Sequence, residues 1–304
     1  MDAKTFQSGP IDEKLRVIFP PDPNPRALKF TPPPGTIDTH FHVFGPPHVF
    51  PYAETRMYTP PAAPIEHWFS VAKLLGIERG VLVSPTAHGF DYSAMHDAID
   101  KSDGRLRGVI RANPELTAQD NAALNVRGVR GVRFNFIRRL RGEFDEKRFW
   151  HVVSRMENLP WNVDLHTEPQ IIAERAEIIR RVPMPVVIDH FGLIDAHKGL
   201  DQPAFLVLKQ LLSEGNVWVK ISSTDRQMKR GSGYEQVVMM ARALVAHRPD
   251  RLIWGTDWPH SFVWEAGQMP NDGDLINMLP DFAPDESTRK MILADNPAKL
   301  FGFN

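Results

Sequence analysis

The chain has 304 residues, 42% of them hydrophobic, with a formal net charge of -1 and no cysteine. That length suits one large domain, the near-neutral charge gives no overall pull toward nucleic acid or an anionic membrane, and the lack of cysteine excludes disulfides and thiolate ligands, so a metal would have to be held by histidines and carboxylates. No stretch approaches the roughly 20 apolar residues that cross a bilayer, and the start MDAKTFQSGPIDEKLRV has no apolar signal core, so a soluble cytoplasmic protein is expected.

Residues 1–35 are polar and proline-rich and end in FTPPPG. Proline fixes φ and removes a donor, so this segment reads as an extended N-terminal arm that packs on its own body or on a partner's. Residues 36–304 read as a single domain. It opens with a β-prone run, TIDTHFHVF, in which His40 and His42 stand two apart and so share a face. A proline-bearing insertion, Pro46 to Pro64, follows. Further β-prone runs are RGVLVSP, LRGVIRA, VRGVRFNF, WNVDLH, PVVIDH, NVWVKIS and RLIWGTD. Between them lie stretches with apolar residues every three or four positions, such as PIEHWFSVAKLLG, DYSAMHDAIDKS, EPQIIAERAEIIRRV and SGYEQVVMMARALVAH. A second insertion, Phe262 to Pro284, follows the last run.

Eight alternations of strand and helix predict an α/β fold of the (β/α)8 TIM-barrel type, because parallel strands need crossover helices and eight strands close a ring. An open doubly wound sheet fits less well, since no glycine-rich phosphate loop follows the first strand. Both insertions leave C-terminal strand ends, where a barrel builds its active site. Polar residues gather at the same ends: His40 and His42 on the first strand, His166 on the fifth, His190 on the sixth and Asp257 on the eighth. A lone histidine there is ordinarily a bonded core imidazole. Five such groups converging on one mouth point instead to a metal or catalytic centre. The aromatic and methionine positions of WHVVSRMENLPW and QVVMMARAL read as core, and ERAEIIRR as a solvated helix face.

The ordered motifs THFHVFGP, VRGVRFNFIRR, VIDHFG and LIWGTDWPH resemble the amidohydrolase superfamily and, within it, the lactonase branch. The likeness runs from about Thr36 to Phe303. It implies hydrolysis of a small anionic lactone in the bacterial breakdown of aromatic compounds. The family's binuclear members use a bridging lysine or glutamate on the fourth strand, where this chain has GVRFNF. Arginine cannot ligate a cation, so one divalent metal, Zn²⁺ or Mn²⁺, is implied, held by His40, His42, His166 and Asp257. Asp257 doubles as the base, and His190 is either a fifth ligand or the group that polarises the carbonyl. Arg133, Arg139 and Arg226 match positions that grip substrate carboxylates, and Tyr58, Thr86, His88 and His260 match other substrate contacts. Arg138 and Arg141 read as solvated rim.

The pyrone-dicarboxylate members carry tyrosine in place of His166 and arginine in place of Leu193. Gaining a ligand and losing an anion contact favours a muconolactone, 4-sulfomuconolactone foremost. A pyrone dicarboxylate lactonase and a metal-dependent decarboxylase of the same superfamily are the alternatives. Homo-oligomerisation stays open.

Overall fold

The computed structural model describes residues 15–140, 142–214, 216–227 and 234–303, apart from the side chains of Arg139 and Ala266. Eight parallel strands pair in chain order: β1 (Ile37–Phe41), β2 (Arg79–Val83), β3 (Leu106–Arg111), β4 (Val129–Phe136), β5 (Asn162–Thr167), β6 (Val186–Ile188), β7 (Val217–Lys220) and β8 (Leu252–Ile253). Their runs are almost continuously apolar because both faces are buried, one by the barrel interior and one by the helices outside. Those helices are α1 (Ile65–Leu74), α2 (Ser93–Asp100), α3 (Ala118–Val126), α4 (Glu146–Val153), α5 (Pro169–Glu174), α6 (Ala176–Arg181), α7 (Pro203–Ser213) and α8 (Glu235–His247). The expected TIM barrel is therefore what the chain forms.

The seam that closes the ring lies between β1 and the chain just after β8. Thr39 N donates to Trp254 O at 3.0 Å, Asp257 N to His40 O at 2.8 Å, and His42 N to Trp258 O at 2.7 Å. The buried carboxylate of Asp38 locks the seam. It accepts from Thr256 Oγ1 at 2.6 Å, Thr256 N at 2.9 Å, His40 N at 3.0 Å and Trp68 Nε1 on α1 at 3.1 Å. The run RLIWGTD keeps a regular ladder with β7 only at Leu252 and Ile253. β1 also carries one extra residue against β2, between Asp38 and Phe41. Such a bulge re-aims side chains next to a site.

The other end of the barrel is filled by apolar side chains. Ile37, Val81, Val109, Val187, Trp218 and Ile253 pack there with Leu300, Phe301 and Phe303 from the C-terminal segment. Arg79 and Arg107 lie over the Phe303 ring at 5.3 and 4.6 Å. The predicted helix EPQIIAERAEIIRRV breaks at Arg175 (φ -114°, ψ 16°) into α5 and α6. The two insertions flank the open mouth, and residues 15–35 run across both: Ile18 N donates to Thr59 O at 3.1 Å, Phe19 N to Val263 O at 2.9 Å and Arg26 N to Asn271 Oδ1 at 2.8 Å. The remainder of the proline-rich arm, residues 1–14, lies outside the described residues. No described helix is long and apolar enough to cross a membrane.

Candidate active site

The backbone leaves the regular strand conformation where the polar residues begin. His190, Ser223 and Asp257 have φ of 53°, 52° and 62°. This left-handed region is costly for residues with a Cβ and is held only where the surroundings enforce it. Here it turns side chains from the ends of β6, β7 and β8 into the mouth.

Asp257 is the hub. Its Oδ2 accepts from Ser223 Oγ at 2.6 Å and from Arg226 Nη2 at 2.7 Å. Oδ1 is thereby turned to the imidazoles, 3.6 Å from His40 Nε2, 3.6 Å from His42 Nε2 and 3.9 Å from His190 Nε2. The ligand atoms of His40, His42 and Asp257 all lie within 4.8 Å of one another. His42 Nδ1 donates to Val83 O at 2.7 Å, which leaves its Nε2 lone pair facing the cluster. His166 Nδ1 is 2.6 Å from Asn135 Oδ1, with the same consequence for its own Nε2. The Nε2 atoms of His40 and His166 are buried and have no hydrogen-bond partner among the described residues. Folded proteins rarely leave buried polar atoms in that state. This donor set fits a divalent cation.

Burial holds the imidazoles of His40, His166 and His190 well below the usual histidine range, so they are neutral, the form that ligates. Asp257 shows the reverse balance. Burial pushes its carboxyl up, but Arg226 and the surrounding histidines hold it well below the carboxylate range.

The structure adds a charged layer beneath the histidines that the strand-end pattern did not single out. Lys220 Nζ lies 2.5 Å from Asp164 Oδ2 and 3.1 Å from Asp189 Oδ1, with all three side chains fully buried. Arg133 Nε donates to Asp189 Oδ2 at 2.7 Å, and its Nη2 is 3.4 Å from His190 Nε2. His40 Nδ1 is 3.5 Å from Asp189 Oδ1. The available signal was a lysine inside the apolar strand VWVKI and an aspartate one or two positions before the strand-end histidine in VIDH and VDLH.

Above the histidines is a pocket of about 340 Å³. It brings together His42, His166, His190, Asp257, Arg133, Arg226, Tyr58 and Thr86 of the predicted site residues. His40 stands behind them, wholly buried. Tyr58 donates to Ser261 Oγ at 3.4 Å. Two predicted contacts do not line this pocket: His88 Nδ1 bonds Pro51 O at 2.9 Å, and His260 Nε2 faces Asp272 Oδ1 at 3.1 Å. Arg139 sits in a single turn after β4, with its side chain outside the described residues, and Arg141 is outside them altogether.

Residues 37–303 match the family model described as amidohydrolase. The chain belongs to the amidohydrolase family. Among its relatives, a 4-sulfomuconolactone hydrolase of Hydrogenophaga intermedia is 46% identical over 276 residues, covering 90% of this chain and 91% of that protein. A 2-pyrone-4,6-dicarboxylate hydrolase of Comamonas testosteroni is 37% identical over 287 residues, covering 91% of this chain and 93% of its own. The crystal structure of an Agrobacterium tumefaciens protein in its apo form superposes with a TM-score of 0.81 at 26% identity, covering 91% of this amidohydrolase and 99% of that chain.

Proposed function

We propose that this amidohydrolase opens a small anionic lactone by metal-assisted hydrolysis, with 4-sulfomuconolactone as the best-fitting substrate. The single observation that carries the reading is the Asp257 hub, one oxygen fixed by Ser223 and Arg226 and the other facing three imidazoles. Relatives named as lactone hydrolases supply the substrate class. His40, His42 and Asp257 would hold the cation, with His166 as the fourth ligand. The imidazole and carboxylate donors suit both Zn²⁺ and Mn²⁺. When bound, a divalent ion supplies Lewis acidity that makes water a competent nucleophile near neutral pH.

The chain's own residues perform the rest. Asp257 takes a proton from the attacking water at Oδ1 as the water oxygen bonds to the lactone carbonyl carbon. The charge that develops on the carbonyl oxygen is received by Arg133 Nη2, which faces the pocket and is held there 3.4 Å from the acceptor His190 Nε2. The ring carbon–oxygen bond then breaks, and Asp257 returns the proton to the departing oxygen. Arg226 has two tasks: it orients Asp257 and presents its remaining donors to an anionic arm of the substrate. Tyr58 and Thr86 complete the wall. Leu193 contributes no guanidinium and does not line the pocket, which favours the sulfonated muconolactone over the pyrone dicarboxylate.

The test is proton release over a panel of anionic lactones, with protein stripped of metal and then reloaded. Activity on the muconolactones that disappears on stripping and returns on reloading is expected. Carbon dioxide release in place of acid would replace the lactonase reading with a decarboxylase. Asp257→Asn is expected to lower kcat by at least about 100-fold, the scale of a lost general base. Turnover at the wild-type rate would remove Asp257 from the role of base.

A further inference from the structure

A second pocket, of about 490 Å³, adjoins the first and shares Thr86, Arg133, Asn135 and Leu140 with it. Its far wall holds Arg111, the last residue of β3, and Arg148 of α4. We propose that Arg111 anchors an anion subsite in this second pocket, taking the carboxylate or sulfonate that a substrate carries remote from the carbonyl under attack. The assignment rests on the lactonase reading for its substrate, but it is argued from charge.

Of the described guanidinium groups in the first pocket, both are engaged. Arg133 is paired with Asp189 at 2.7 Å and Arg226 with Asp257 at 2.7 Å. Each of those positive charges is already met by a buried carboxylate. Arg111 is different. It is half-buried, and the contact its guanidinium makes among the described residues is with the Phe90 ring, 4.8 Å from the centroid; no ion pair or side-chain hydrogen bond among those residues holds it there. A partly desolvated cation without a carboxylate is costly. Burial lowers its pKa. It also lies close enough to Arg148 for their charges to repel: Arg148 is pushed down to about 10, chiefly by burial and next by Arg111.

The two acids on this pocket, Glu143 and Asp145, are exposed at its rim, and Asp145 is occupied in capping α4 through Arg148 N at 3.0 Å. Phe134, Phe136 and Phe149 line the space between. A small planar molecule with an anion at its far end would lie along these rings and receive paired hydrogen bonds from the Arg111 fork.

Calorimetric titration of the metal-loaded protein with muconate and with sorbate tests this directly. The two acids share a six-carbon diene, but muconate has a carboxylate at each end and sorbate at only one. Wild type is expected to bind muconate roughly 10- to 100-fold more tightly than sorbate, the scale of a charge-assisted hydrogen-bonded pair. Arg111→Gln is expected to abolish that preference while leaving sorbate affinity unchanged. Arg111→Lys, which keeps the charge but not the fork, is expected to fall between. Equal affinities in wild type, or a preference that survives Arg111→Gln, would overturn the subsite. Because no turnover is read, a protein that shows the preference yet opens no lactone would overturn the lactonase reading and leave the subsite standing.

Discussion

Lys220 has no water to share its charge with, and its two carboxylate partners raise its pKa against the effect of burial. Removing one member of a buried ionic group strands the others, so Lys220→Met leaves Asp164 and Asp189 facing each other with Arg133 alone to offset them. The expected loss is about 3–5 kcal/mol, read from urea unfolding, and Lys220→Met combined with Asp164→Asn should recover part of it. A second buried pair makes stability depend on pH. Burial alone would lower the His260 pKa, but the Asp272 charge and hydrogen bond raise it above the usual histidine value. A raised cationic group contributes its full stability below its unfolded value, about 6.5. That contribution is lost as pH rises through the folded value. The urea midpoint is therefore expected to fall as pH rises above about 6.5, and Asp272→Asn should flatten this part of the profile. The histidines and Asp257 were legible in the sequence because each interrupts or ends an apolar run. The partners were not: Lys220 stands in VWVKI, but nothing local says that Asp164, 56 positions away, meets it. For the same reason the sequence showed Arg133 as a match to a substrate grip but not the bond from its Nε to Asp189.

At the scale of elements, the strand alternation carried the fold, since a parallel barrel writes its buried runs plainly. What periodicity could not express was the seam, where a buried carboxylate reinforces an irregular backbone pairing. Gly255 illustrates this. A Cβ there would meet His40 N at 2.6 Å and His40 Cβ at 2.8 Å, so the chain after β8 passes directly against the first candidate ligand. Backbone cannot give way as a flexible side chain can. Gly255→Ala is expected to cost about 1–3 kcal/mol, as overpacking does, and to weaken metal binding more than a surface alanine substitution of equal stability cost. Thermal unfolding and a competitive metal titration would measure the two effects. A variant that loses stability yet keeps full metal affinity would show that His40 does not depend on this close approach.

For the molecule as a whole, three of the four candidate metal ligands come from opposite ends of the barrel's sequence. His40 lies in the first strand and His42 just after it, and Asp257 follows the last. A cation gripped by all three therefore bridges the seam that closes the ring, and its binding free energy adds to that of the closed state. At a free metal concentration of 100 times Kd the gain is about 2.7 kcal/mol. Stripping the metal is expected to lower Tm, and the loss should be local before it is global. The amides of Thr39, His42 and Asp257, which carry the seam's hydrogen bonds, should exchange faster in stripped protein. Those of Ile110 and Val132 in the β3–β4 ladder, whose strands carry no candidate ligand, should hardly change, because their bonds do not depend on closure. Hydrogen exchange followed residue by residue distinguishes these outcomes. Uniform acceleration through all eight strands would mean that the cation stabilises the whole domain alike, and that the ring stays shut without it.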